Sequence, residues 1–187
     1  MASEVGIGNS ALQKIGASER ITSLTEDSRN ARAINSCYTE MRDAELEAHP
    51  WNCARRRVKL TADTDLEIFD GDYQYTLPPD CLRVILSRGI YLDWRIEGGK
   101  IISSEAGPLE VEFVRRVTDP NEMPASLREV IACRIAVQIC EAITQSNTKL
   151  EAVAAMRREA LAEARRMNAM QNVPTVMDED EWIDARL

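Results

Sequence analysis

Between Asp27 and His49 apolar side chains return every three or four residues, at Ala33, Ile34, Cys37, Tyr38, Met41, Ala44 and Ala48, while Arg32, Glu40, Arg42, Asp43 and Glu47 fill the other face. That spacing predicts an amphipathic helix, and Pro50 stops it because its ring excludes helical backbone at the residue before it. A shorter helix is predicted from Ser3 to Gly16, with Val5, Leu12 and Ile15 as its apolar positions and Gly16 placed to end it. Gly6 and Gly8 weaken that segment.

Beyond Trp51 the period changes from 3.6 to 2, with β-branched and aromatic residues between turn residues. Asp70-Gly71 separates Leu66–Phe69 from Tyr73–Leu77, and Gly98-Gly99 separates Trp94–Glu97 from Lys100–Ile102, so two hairpins are predicted. Further strands are expected at Leu82–Leu92 and Leu109–Val117, giving a small sheet of about five strands that a helix must cover.

The last third returns to helix. Pro124 suits a first helical turn, and Ser126 with Glu129 has the spacing of a capping box, which places the start between Pro124 and Leu127. From there to Ile143 apolar residues cover nearly every side, which predicts a buried helix at the centre of a bundle. Thr148 and Glu151 form a second candidate capping box, followed by a stripe of Leu150, Val153, Ala154, Leu161, Ala164 and Met167 to about Asn172. The order helix, strand, helix in one domain is that of an α+β, mainly helical protein.

Composition narrows the function classes. The 187 residues suffice for one core of ordinary size, and 44% apolar with 29% charged residues is the balance of a globular protein. No apolar stretch approaches the ~20 residues that cross a bilayer. The segment Met1–Val5 lacks a basic leader, so the chain is expected to stay in the cytoplasm where it is made. Five cysteines, Cys37, Cys53, Cys81, Cys133 and Cys140, form no Cys-x-x-Cys pair and read as buried thiols in a reducing compartment. A formal charge of −8 argues against sequence-independent binding to phosphates.

Candidate chemistry is sparse. His49 is the only histidine and stands at a helix end, where a cation is favoured by the dipole, so a capping role is expected rather than catalysis. One His and scattered Cys do not make a zinc set, and Cys133 and Cys140 are expected to share one buried helix face; no metal or cofactor is predicted. Val5-Gly6-Ile7-Gly8 lacks the third glycine of a dinucleotide fingerprint, and no Walker-type motif occurs. Glu110 and Glu112 read as a solvated strand face ahead of a glycosidase pair. In Arg55-Arg56-Arg57 strand alternation sends Arg55 and Arg57 one way and Arg56 the other, which favours salt links within the chain or to neighbouring subunits over a nucleic-acid patch. Arg157, Arg158, Arg165 and Arg166 lie among glutamates on the last helix, an ordinary mixed-charge face that is also a candidate subunit contact. After Val173-Pro174 an acidic tail, Asp178 to Asp184, brackets Trp182 and Ile183 with charge, the pattern of an interaction segment with an apolar anchor.

Four stretches in this order resemble the head-to-tail adaptors of tailed bacteriophages, called tail tubular protein A in short-tailed phages. They are Ser10–Gly16, Ala48–Arg56 with its His-Pro-Trp-Asn, Tyr73–Val84 with its Leu-Pro-Pro-Asp, and Asp119–Pro124. Cys53 departs from the phenylalanine common after Trp-Asn. The resemblance implies an α-helical bundle formed from both chain ends, residues 1–50 and 119–172, carrying an inserted small antiparallel β-rich subdomain, 51–118, and a C-terminal tail, 173–187. It also implies a structural, non-enzymatic virion protein of the neck, made in the host cytoplasm. Such adaptors form a ring, commonly of twelve subunits, under the portal protein. The ring extends the channel for double-stranded DNA during ejection and docks tail or nozzle components. Relatives grip the portal with their C-terminal segments, which here points to Asp178, Glu181, Trp182 and Ile183. Two readings from other classes stand beside this one: a DNA-packaging or regulatory nucleic-acid-binding module, and a cell-wall hydrolase using paired carboxylates such as Glu110 and Glu112.

Overall fold

Serine side chains open three helices in the computed structural model, which describes residues 1–64, 73–88, 94–104 and 106–171. Ser3 accepts the Gly6 N–H ahead of α1 (Glu4–Lys14), Ser28 accepts that of Ala31 ahead of α2 (Arg29–Ala48), and Ser146 accepts that of Lys149 ahead of α4 (Asn147–Met170). Each hydroxyl satisfies a donor that a first helical turn leaves without an intrahelical partner. α3 (Ala125–Thr144) starts differently, after Pro124, whose carbonyl accepts the N–H groups of Leu127 and Arg128.

Both expected capping boxes are therefore corrected. Pro124, with φ −61°, already has the angle a helix start needs, so Ser126 falls inside the first turn. Ser146 sits two residues ahead of Thr148 in extended backbone and takes the cap. The stops match expectation at Gly16, whose φ of 69° follows the end of α1, and at Pro50 after α2.

α3 is the central helix. Its residues Leu127, Val130, Ile131, Ala132, Cys133, Ile135, Ala136, Ile139 and Cys140 are all buried, and α1, α2 and α4 pack around it. The expectation of a helix apolar on all sides at the bundle centre holds. α4 is covered more thinly: only Val153 and Ala164 are buried, and the expected stripe residue Met167 remains exposed.

Between α2 and α3 lie six strands among the described residues: β1 (Arg55–Leu60), β2 (Tyr73–Thr76), β3 (Cys81–Arg88), β4 (Trp94–Glu97), β5 (Lys100–Ser103) and β6 (Leu109–Arg115). They form two antiparallel sheets, ordered β1-β6-β3 and β2-β5-β4, where one sheet was expected. The reason is burial. Val58 opposite Val111 and Leu60 opposite Leu109 give the first sheet an apolar face, which packs with Tyr75 and Ile101 of the second into a core of its own. A single sheet of these strands would leave that face without a cover.

The Gly98-Gly99 hairpin forms as predicted, with φ of 54° and 78° at the two glycines. The expected Asp70-Gly71 hairpin lies outside the described residues, as do the end of the Leu82–Leu92 strand and the tail 173–187. The molecule is thus an α+β, mainly helical protein in which helices from both chain ends form the bundle and antiparallel strands are inserted between them. Val114 and Val117 carry the main core from the helices into the base of the first sheet.

Candidate functional site

The chain passes from helix to strand at His49-Pro50-Trp51-Asn52, and these residues build a junction. Trp51 is 1% exposed and its indole N–H donates to the Glu45 carbonyl at 2.8 Å, satisfying the last turn of α2. The Asn52 backbone N–H donates to Asn168 Oδ1 at 2.9 Å, and its side-chain amide donates to the Asn168 carbonyl at 3.0 Å and to Gln171 Oε1 at 3.3 Å. One asparagine therefore ties the start of the β-subdomain to the last turn of α4.

His49 was expected to act as a cation at the end of α2. The structure corrects this. Its ring meets Trp51 edge-on with centroids 4.6 Å apart, and its Nε2 lies 3.3 Å from Asn168 Nδ2. Asn168 Oδ1 is already taken as an acceptor by Asn52, so Nδ2 donates and His49 Nε2 must accept, which requires the neutral ring. Burial pushes the His49 pKa below its ordinary value, and the charges of Arg165 and Arg83 push it the same way.

Two of the other stretches join at the same place. Asp80, in the Leu-Pro-Pro-Asp turn, takes Arg56 Nη1 at 3.2 Å and accepts the Arg116 backbone N–H at 2.7 Å. Arg116 in turn reaches Asp43 of α2 at 2.8 Å. Arg115 donates to the Cys53 carbonyl at 3.4 Å and pairs with Glu122, which belongs to the turn before α3. Residues 48–56, 73–84 and 119–124 are thereby linked across the boundary between bundle and sheets.

Beneath them lies a buried charge cluster that pattern reading missed. Glu45 is 1% exposed and its Oε1 receives Arg134 Nη1 of α3 at 2.9 Å together with Arg157 of α4. Three helices are tied through one carboxylate. The signal was available: Glu45 stands four residues after Met41 and three before Ala48, on the apolar stripe rather than off it. Of the four arginines expected as subunit contacts, Arg157 is thus engaged within its own chain. Arg158, Arg165 and Arg166 are exposed and make no ion pair among the described residues.

The first sheet carries a second charged group. Arg55 and Arg57 point to one side, as alternation predicts, and both reach Glu112, the latter at 3.1 Å. Lys59 Nζ pairs with Glu110 at 2.8 Å. A groove of about 320 Å³ runs along Arg57, Lys59, Glu110 and Glu112. Glu112 was expected to be solvated; only 7% of it is exposed, because two guanidinium groups lie over it. Burial raises its pKa, but the hydrogen bonds and charges of Arg55 and Arg57 outweigh that and hold it below its ordinary value. A hydrolase of the paired-carboxylate kind needs one acid whose pKa is raised, which Glu112 does not provide.

Glu112 makes stability depend on pH in a predictable direction. Its carboxyl holds the proton less tightly when folded, so its contribution is full above the ordinary value of 4.5 and is lost as pH falls through the lower folded value. The Glu112→Gln variant should be less stable than wild type at neutral pH. That gap should close as pH drops below 4.5, read from urea midpoints at a series of pH values. A gap independent of pH would mean that the loss comes from packing rather than from the ion pairs.

Among the described residues no three His, Cys, Asp or Glu side chains converge as metal ligands, and no helix is long and apolar enough to cross a membrane. Cys37, Cys133 and Cys140 are buried free thiols; Cys53 and Cys81 are half-buried, more open than expected. Burial is the main cause that pushes the Cys133 and Cys53 thiols up. Asp178, Glu181, Trp182 and Ile183 lie outside the described residues. Compared with known proteins, the sequence matches no family model and has no significant match among curated proteins.

Proposed function

We propose that this chain is a structural head-to-tail adaptor subunit of a tailed bacteriophage. It assembles as a ring under the portal protein, extends the DNA channel and docks tail components. What supports the reading is that three of the four stretches carrying the resemblance are bonded to one another at the junction of bundle and β-subdomain. Arg56 joins Asp80 directly and Arg115 bridges Cys53 to Glu122, while Asn52 ties the same junction to Asn168 of α4. Residues that share a sequence pattern without lying together in the chain have a common structural task here, namely setting the angle between the two parts.

In this reading the function is mechanical and rests on complementary interfaces. A fixed angle between bundle and sheets gives every subunit the same two contact faces, as a closed ring of head-to-tail contacts requires. The exposed Arg158 and Arg166 of α4 are available to a lateral neighbour, and the tail segment with Trp182 is the part assigned to the portal. The test is the mass of the complex formed when the protein meets a portal ring from the same phage, using the full chain and a version ending at Pro174. Stoichiometric binding by the full chain, lost on truncation, is the expected result. Binding by neither form would overturn the adaptor role.

A further inference from the structure

Asn168, on the last turn of α4, serves two parts of the chain at once. Its Oδ1 accepts the Asn52 backbone N–H at 2.9 Å, and its Nδ2 lies 3.3 Å from His49 Nε2. The first bond fixes which way the amide points, because a backbone N–H can only donate and needs the oxygen. Nδ2 is left to face the ring, where a bare Nε2 can accept from it and a protonated one cannot. The ring therefore carries its single proton on Nδ1.

A proton on Nε2 breaks this arrangement. The imidazolium only donates, so Asn168 has to turn its oxygen toward the ring, and its Nδ2 then meets the Asn52 N–H, donor against donor. The surrounding charges bring no relief. Arg165 of α4 and Arg83 of β3 both disfavour the cation, and Trp51, edge-on to the ring, is uncharged. On α2 itself, Glu45 is already held by Arg134 and Arg157, and Glu47 is exposed, where solvent screens its charge.

We infer that His49 and Asn168 form a proton-operated latch at the junction: protonating the ring withdraws Asn168 from the Asn52 N–H and loosens the last turn of α4 from the start of the β-subdomain. The ring's folded value lies below its ordinary 6.5, so the latch is fully closed above that pH and opens as pH falls through the folded value. The Trp51 bond to Glu45 and the Arg115 pair with Glu122 do not involve the ring, so the opening is local and the core stays folded. The angle between bundle and sheets is thus held firmly at neutral pH and less firmly in acid, whether or not the adaptor reading holds.

The test is NMR of the full chain across a pH series. His49 is the only histidine, so its imidazole resonances identify themselves. At neutral pH the proton should sit on Nδ1, with Nε2 bare. Hydrogen-exchange protection of the Asn52 amide should fall about tenfold with the same midpoint as the ring, a factor that one ordinary hydrogen bond accounts for. α3 should stay protected throughout. Asn168→Asp supplies two oxygens, one for the Asn52 N–H and one for a protonated Nε2, so it should raise the ring's midpoint above 6.5 and keep Asn52 protected through the titration. A neutral ring with its proton on Nε2 would overturn the inference. So would Asn52 protection that ignores the ring's titration, loss of α3 protection at the same midpoint, or an Asn168→Asp midpoint no higher than that of wild type. Should the variant fail to fold, the wild-type series decides by itself.

Discussion

Truncating Trp51 to alanine should lower the stability of this protein by about 3–5 kcal/mol, the largest loss expected from any single change at the junction. Two losses combine. A fully buried indole, 1% exposed, leaves a cavity that the surrounding helices can only partly close. The Glu45 carbonyl also loses its 2.8 Å partner in a place that water does not reach freely. Because Asn52 follows directly and bonds Asn168, the change also loosens the tie between the β-subdomain and α4. For a chain of this length the loss corresponds to a fall in Tm of roughly 6–20 °C. Thermal unfolding followed by circular dichroism measures it. Trp94, which is only half-buried at the start of β4, is the control, and its replacement should cost much less. A Trp51→Ala protein that melts within a degree or two of wild type would mean that the junction is not where the two parts are held.

Glu45→Ala should cost a comparable ~3–5 kcal/mol, for a different reason. What remains is a pair of guanidinium groups, Arg134 and Arg157, with side chains only 28% and 29% exposed and no carboxylate between them. Their mutual repulsion and lost hydration fall on α3 and α4, so these helices should separate first. Replacing all three charges with apolar residues, as in Glu45→Leu/Arg134→Met/Arg157→Met, should recover most of the stability, because the desolvation cost goes with the charges. Urea unfolding of the single and triple variants decides the matter. A triple variant as unstable as Glu45→Ala would show that volume rather than charge governs the site.

How far the sequence reached can be followed residue by residue. The helix periods located α2 and α3 and put α3 in the middle, because a helix buried on every side has to be apolar on every side. The Gly98-Gly99 turn was legible because few residue pairs adopt positive φ twice in succession. Strand alternation told that Arg55 and Arg57 share a side, but naming Glu112 as their partner required the register of β1 against β6. His49 was misjudged because its neighbour Asn168 lies 119 residues away, and only that contact shows which ring nitrogen must accept. The start of α3 fell inside the expected span from Pro124 to Leu127, whereas the cap of α4 was misplaced by the same limitation: Ser146 and Thr148 stood close together, and which one capped depended on where the preceding backbone turned.

Local patterns alone therefore determined the classes of element, their order and the buried centre, since burial of an apolar stripe depends on spacing along the chain. Pairing was decided only in three dimensions. Glu45 among Arg134 and Arg157, Asn52 on Asn168, Arg56 on Asp80, and two sheets instead of one all join residues that no local period relates. Charges and hydrogen-bonding groups seek partners across space, and the energy of each pair exists only once the fold has brought them to within a few ångströms.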